Sequence, residues 1–423
     1  MREEIFITGM GIISSVGNNV ATFKEALLNG KNNIQYDKEM SKTLNKDIVS
    51  AKIALDTYGE MLVDETRSLT RYKDYALKSG KRESMLVQSS ILACMEAWKQ
   101  AGFEENKVDL ERIGIVIAGH NMSQLYSYNN YKKYNDQLAY LNPRYALQYM
   151  DTNLIGVISD IFRIKGESMT VGGASATGNM GLIKACDAIE LGRLDKCMII
   201  APVTELSPFE IQAFLSIGAL GGRSFGASPS LASRPFDINH EGFIYGQATA
   251  CVIIESKKSV EDRKAKALAQ IMGSAICLNP SKLSEPSLDA EINVMEKALN
   301  NAGINKEEID YINAHGSSSK LGDEIEAQAI EKVFEDFLAH IYVNSTKGIS
   351  GHCLQSAGLV ETIATVIQLN YDFIHGNNNI VEPISNKIRF SPQEGVENKI
   401  KFAMNNSFAF GGINTSIILK DAL

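Results

Sequence analysis

The sequence predicts an α/β protein built from a duplicated unit, and two internal echoes carry that expectation. In the first, a helical pattern over Ser89–Ala101 ends in Gln100-Ala101-Gly102-Phe103, and acidic residues and the apolar run Ile113–Ala118 follow. A second helical pattern, Ala290–Ala302, likewise ends in Asn301-Ala302-Gly303-Ile304 and leads through acidic residues to Ile309–Asn313. Each helix stops at a glycine, the residue that a left-handed C-terminal cap favours. In the second echo, the small-residue turn that begins at Gly172 runs into the apolar helix Met180–Cys186. Gly348, Gly351 and Gly358 stand in the same way ahead of Ile363–Ile367. Two such repeats imply halves related by a pseudo-twofold axis. The polar stretch Glu255-Ser256-Lys257-Lys258 divides them, giving an N-terminal half of residues 1–255 and a C-terminal half of 256–423 that pack as one core.

The remaining elements follow in order. Ile5-Phe6-Ile7-Thr8-Gly9-Met10-Gly11 reads as a buried strand that ends in a glycine turn. Its glycines, with Gly17, do not have GxGxxG spacing, and no acidic residue closes a second strand, so a dinucleotide site is not expected. Tyr126–Met150, rich in Tyr and Asn, reads as a cap or a dimer-facing excursion. Ala250–Ile254 reads as a strand just before the boundary.

A chain of 423 residues is long enough for two fused units around a large core. A net charge of −8 argues against a nucleic-acid binder, which would carry a basic excess. Cys94, Cys186, Cys197, Cys251, Cys277 and Cys353 show no CxxC spacing. That favours free thiols in a reducing cytosol over a disulfide framework or a metal site. No signal-peptide pattern and no membrane-length apolar stretch is seen, so a cytoplasmic protein is expected.

Three positions stand out chemically. Ser175 lies in Val171-Gly172-Gly173-Ala174-Ser175-Ala176-Thr177-Gly178, a turn that opens a helix. His315 lies in Asn313-Ala314-His315-Gly316 and His352 in Ser350-Gly351-His352. On the second echo, Ser175 and His352 occupy corresponding turn-to-helix junctions. The chain has six histidines, and two of them sit in Gly/Ser-rich turns, a setting that suits chemistry better than packing. Cys353 reads as a small buried hydrophobe. Gly173–Thr177 falls one residue short of a GxSxG elbow, and no hydrolase triad order accompanies it. Asp323 and Glu326 read as structural.

Further segments carry a family resemblance. The opening strand is similar to that of the elongating β-ketoacyl-ACP synthases. So are Ala232-Ser233-Arg234-Pro235-Phe236-Asp237, Glu241-Gly242-Phe243, Asn313–Ser319, Ser345-Thr346-Lys347 with Gly351-His352, and the Gly-rich segment Asn406–Asn414. Over nearly its whole length the chain resembles these enzymes. The resemblance implies the thiolase fold, duplicated βαβαβαββ halves in a five-layered α-β-α-β-α arrangement. It implies Ser175 at the position of the family's nucleophilic cysteine, and His315 and His352 as the catalytic histidines. Lys347 would orient His315 or Glu361, and Phe410 and Gly411 would form a gating and oxyanion loop. It further implies an acyl carrier protein as partner, a substrate carried on that protein's phosphopantetheine arm with no other cofactor, and a homodimer. Arg67, Arg71 and Lys73 head the best basic cluster for carrier docking.

The departures are Ser175 for cysteine, Tyr245-Gly246-Gln247-Ala248 for a more Gly-rich and acidic stretch, and Ile413 where the family usually has threonine. Only the first changes the chemistry. A free thiol titrates near ~8.5, and a helix N-terminus brings it into the neutral range. A serine hydroxyl is far more basic, so without an adjacent base it is a poor acyl acceptor. Decarboxylation of a malonyl thioester needs no acyl anchor. It needs donors for the enolate oxygen, each worth about 2.7–4 kcal/mol. The expectation is therefore a ketosynthase-like malonyl-ACP decarboxylase of the kind that resembles β-branching partners in polyketide synthesis, with Ser175 keeping the pocket small and polar. The alternatives are an inactive chain-length-factor-like partner of an active ketosynthase, and a Ser-dependent acyltransferase.

Overall fold

The computed structural model describes residues 3–55, 57–104, 108–280 and 285–422. Met1 and Arg2 of the charged start, Glu105 of the first acidic stretch and Leu423 lie outside the described residues.

Ten strands form one sheet: β1 (Ile5–Ser14), β2 (Ile113–Ala118), β3 (Ser168–Val171), β4 (Lys196–Ala201), β5 (Ala248–Ser256), β6 (Ala269–Leu278), β7 (Tyr311–Asn313), β8 (Tyr342–Asn344), β9 (Phe402–Ala409) and β10 (Ile413–Asp421). Their spatial order is β8-β7-β9-β10-β6-β1-β5-β4-β2-β3. The first half therefore reads 3-2-4-5-1 from its outer edge, and the second half reads the same with five added to each number. Directions match as well. β2 is parallel to β3 and β4, and β7 is parallel to β8 and β9, while the strands nearer the centre are antiparallel. The halves join where β1 pairs antiparallel with β6 at Ile5–Ile271, Phe6–Gln270 and Ile7–Ala269.

Five principal helices cover this sheet: α1 (Met85–Gln100), α2 (Thr177–Glu190), α3 (Leu288–Ala302), α4 (Lys320–Phe334) and α5 (Ala357–Tyr371). Period-2 alternation along the strands sorts the core into layers. Cys197, Ile199 and Ala201 of β4 pack inward with α2 and α5, while Met198 and Ile200 pack outward with α1. In the second half Ile417 and Leu419 turn inward, and Ile418 turns outward towards α3 and α4. The result is helix, sheet, paired central helices, sheet, helix.

The echoed glycines fall as their sequence context requires. Gly102 has φ 70° after α1, and Gly303 caps α3 with φ 68°. The opening strand does not end at Gly11 but runs on to Ser14. A Cβ at Gly9 would lie 2.3 Å from the Ala97 carbonyl oxygen and one at Gly11 2.0 Å from that of Ala93. These glycines let α1 lie directly on the strand rather than make a turn. The Gly-rich C-terminal segment is also mostly strand, with only Phe410–Gly412 forming the turn between β9 and β10. Residues 124–148 form a surface excursion of helices, with Tyr145 stacked on Tyr126 and on Tyr149 at ring separations of 5.5 and 5.4 Å.

Candidate active site

The chemistry-bearing loops leave the carboxyl ends of parallel strands, as is usual for sites in α/β sheets. Val171 ends β3 and leads to Ser175, Asn313 ends β7 and leads to His315, and Asn344 ends β8 ahead of Lys347 and His352. The turn after β9 carries Phe410. Ser175, His315, His352 and Phe410 line one cavity of about 610 Å³. That volume is in the range of small-molecule sites.

A 3-10 turn, Ala174–Ala176, presents Ser175 at the start of α2. The matching turn, Leu354–Ser356, opens α5. Ala174 at φ 46° and Leu354 at φ 54° share the left-handed conformation that marks the equivalent point. On this register Ser175 corresponds to Gln355 and not to His352, which falls opposite Gly172. A Cβ on Gly172 would lie 2.9 Å from the His120 ring, so His120 occupies the space beside that glycine.

Ser175 Oγ lies 3.1 Å from His352 Nε2, so an imidazole stands beside the hydroxyl. Its tautomer decides what it can do. The Leu354 backbone N–H donates to His352 Nδ1 at 3.0 Å, which places the imidazole proton on Nε2, facing Ser175. Nε2 is therefore a donor towards the cavity and not a free base. Phe243 packs edge-on against this ring at 5.3 Å. The His315 ring lies 5.6 Å from that of His352. Burial, reinforced by the Lys347 charge, holds both histidines well below the ordinary imidazole range; His352 also lowers His315. Both are neutral at neutral pH.

The His315 loop is held from behind. Glu326 accepts the backbone N–H groups of His315 and Gly316, each at 2.7 Å. Burial pushes the Glu326 carboxyl up to about 7 even though those two bonds pull it down. Asp323 accepts from the Ser318 and Phe236 backbones at 3.1 and 2.8 Å. Lys347, 1% exposed, donates to the His315 carbonyl and to Glu361. Lys347 and Glu361 thus sit behind the cavity wall and set the His315 backbone and the local charge. Cys353 is buried, and desolvation pushes its thiol up to about 12, which leaves it inert.

Gly411 lies at the exposed tip of the turn with φ 84°, while Gly412 and Phe410 line the cavity. Arg67 is corrected as a docking residue. It is 1% exposed, with Nε donating to the Leu92 carbonyl at 3.2 Å, Nη2 donating to the Asn18 carbonyl, and Glu96 3.6 Å away. Arg71 is exposed and Lys73 half-buried. Sequence reasoning missed two cavity residues, His120 and Glu291. His120 follows β2 through Gly119, the same strand-to-turn setting that singled out His315. Glu291 heads the buried stripe Glu291, Val294, Met295, Ala298 and Leu299, where a carboxylate is out of place. No cluster of three or more metal-ligating side chains occurs among the described residues, and no described helix is long and apolar enough to cross a membrane.

Two mirrored five-stranded units, with paired histidines and a nucleophile-position turn at the strand ends, define a condensing-enzyme fold of the thiolase type. The chain belongs to the β-ketoacyl synthase family: the N-terminal domain of that family matches residues 2–259 and its C-terminal domain residues 268–381. It is 33% identical over 418 residues to the polyketide biosynthesis malonyl-ACP decarboxylase PksF of Bacillus subtilis (strain 168), covering 99% of this chain and 96% of that protein. It is 30% identical over 429 residues to 3-oxoacyl-(acyl-carrier-protein) synthase 2 of Coxiella burnetii, covering 99% of each. A β-ketoacyl synthase from Burkholderia phymatum superposes with a TM-score of 0.86 over the whole of both chains at 22% identity. A type II polyketide ketosynthase solved with its acyl-carrier protein superposes at 0.84 over the whole of both chains with 21% identity. These two likenesses bear on the fold.

Proposed function

We propose that this chain is a ketosynthase-like decarboxylase that converts malonyl-ACP to acetyl-ACP in polyketide biosynthesis, without condensation. The observation that carries the reading is the His352 tautomer: its Nε2–H points into the cavity at Ser175 while the Leu354 N–H occupies Nδ1. The malonyl thioester, on the phosphopantetheine arm of a carrier protein, enters past Phe410, which is 41% exposed. The His315 and His352 imidazoles donate to the thioester oxygen. Neutral donors suit this task, because they stabilise negative charge as it develops while the site stays dry. The bond to the carboxylate breaks, carbon dioxide leaves, and the electron pair is held as the enolate. Ser175 accepts from His352 in the resting site and, as an alcohol on a helix N-terminus, keeps its proton. The PksF similarity supports this reading.

The Ser-dependent acyltransferase would need a bare Nε2 on His352 to take the Ser175 proton, and the Leu354 contact disfavours that state. The inactive-partner reading leaves Lys347, Glu326 and the two neutral histidines without a task. One assay separates the three: malonyl-loaded carrier protein is incubated with the purified chain and both masses are followed. Carbon dioxide loss is expected from the carrier. Acyl mass on the enzyme would favour the acyltransferase, and inertness until a ketosynthase is added would favour the scaffold. His352→Ala should slow decarboxylation by about 100–1000-fold, while Ser175→Ala spares most of it; the reverse pattern overturns the assignment.

A further inference from the structure

The decarboxylation reading, on which this inference rests, leaves one atom unaccounted for, the proton that turns the enolate into an acetyl group. The cavity wall contains a buried carboxyl group. Glu291, in the first turn of α3, is 1% exposed, lines the same cavity as His315 and His352, and has its Oε2 buried without a hydrogen-bond partner among the described residues. An unpaired buried carboxylate is costly, and here Glu326 and Asp323 add repulsion. A neutral carboxylic acid avoids both costs. Glu291 and His315, whose loop Glu326 holds through the His315 and Gly316 backbones, line the same cavity.

We propose that Glu291 is the general acid that protonates the enolate. As carbon dioxide leaves, the electron pair of the broken carbon–carbon bond is shared between the α-carbon and the thioester oxygen. The α-carbon takes the proton of the Glu291 carboxyl, a carbon–hydrogen bond forms, and the carbonyl is restored. Glu291 is left as a carboxylate and takes a proton back from water when the product departs. Burial, first, and then Glu326 and Asp323 raise the Glu291 carboxyl well above the ordinary carboxylate range, which favours the acid form. The other titratable or charged groups facing the cavity are Lys320 beside the His315 loop, Glu285 ahead of α3, Glu210 and Glu241, and the three histidines His120, His315 and His352.

The test is the pH dependence of acetyl-carrier formation from malonyl-carrier by the wild type, Glu291→Gln and Glu291→Asp, each checked for folding by thermal melting. A general acid must be protonated, so the wild-type rate should fall as pH rises through the raised carboxyl value. Glu291→Gln, nearly isosteric, should lose about 100-fold in kcat with KM unchanged, and should lose that alkaline limb. Glu291→Asp, which keeps the acid, should retain the limb at an intermediate rate. A Gln variant with wild-type kcat and an intact limb overturns the role of Glu291 while leaving the decarboxylase reading standing. A wild-type chain that releases no carbon dioxide overturns the decarboxylase reading and this role with it.

Discussion

His352 shows how one backbone contact sets a side chain's chemistry. Because Leu354 N–H takes Nδ1, the ring offers a proton and not a lone pair to the cavity. His375 follows the same logic away from the site. Its Nδ1 donates to the Gly376 carbonyl at 2.8 Å, so Nε2 accepts from Thr346 Oγ1 at 3.1 Å, and Thr346 in turn accepts from Asn313 Nδ2 at 2.8 Å. Burial holds this imidazole down at about 4, with only the Gly376 bond opposing. The sign follows: the unfolded chain binds the proton first, so the neutral ring stabilises the fold above ~6.5 and that stability is lost as pH falls towards 4. The wild type should lose about 3 kcal/mol from this group between pH 7 and 4. His375→Gln should lose none of that share, which denaturant titrations at the two pH values will read as a narrowing gap.

Among the elements, the crossing of α2 and α5 brings the two junctions together. Gly178 makes it possible, since a Cβ there would lie 2.5 Å from the Leu359 backbone nitrogen. Gly358 is packed in a similar way: a Cβ there would lie 2.7 Å from Asn179 Oδ1 and 2.9 Å from the Asn179 backbone nitrogen. At Gly178 the three nearest obstacles are all backbone atoms, which cannot rotate aside. Gly178→Ala should therefore destabilise the protein by about 1–3 kcal/mol, the usual cost of overpacking. It should also lower kcat more than it changes KM, because the displaced helices carry Ser175 and follow His352. Denaturant melts and steady-state rates check the two effects separately.

Across the whole molecule, the N-terminal half supplies Ser175 and His120, and the C-terminal half His315, His352, Lys347 and Glu291. The cavity exists only because the halves share a core. The same scale decides which basic residues can meet a carrier protein. Arg71 is on the surface, whereas Arg67 is enclosed with Glu96, whose carboxyl burial pushes up to about 7 against the pull of that pair. Arg71→Glu should raise KM for carrier-bound malonyl and leave that for malonyl-pantetheine unchanged. Arg67→Ala should instead cost about 3–5 kcal/mol of stability, as removing one partner of a buried pair does. Thermal melts and kinetics on the two substrates distinguish these outcomes.

Much of this was legible in the chain. Repeated Gly-stopped helices and repeated turn-to-helix junctions are local patterns, and they announced a duplicated α/β fold before any strand was paired. His315, His352 and Ser175 stood out because Gly/Ser-rich turns offer few large side chains to pack against, so a reactive side chain there needs a reason. Glu291 was missed, although it is a charge within an apolar stripe; only packing shows that the stripe ends at the cavity. Arg67 looked like its exposed neighbours, because a local charge pattern does not report what closes over it. The equivalence of Ser175 with Gln355, the proton on His352 Nε2 and the neutral state of both cavity histidines came from the folded molecule alone. They depend on contacts between residues far apart in sequence and on the desolvation those contacts impose. Side-chain period and turn chemistry act over a few residues, while tautomers and protonation states answer to the whole enclosure.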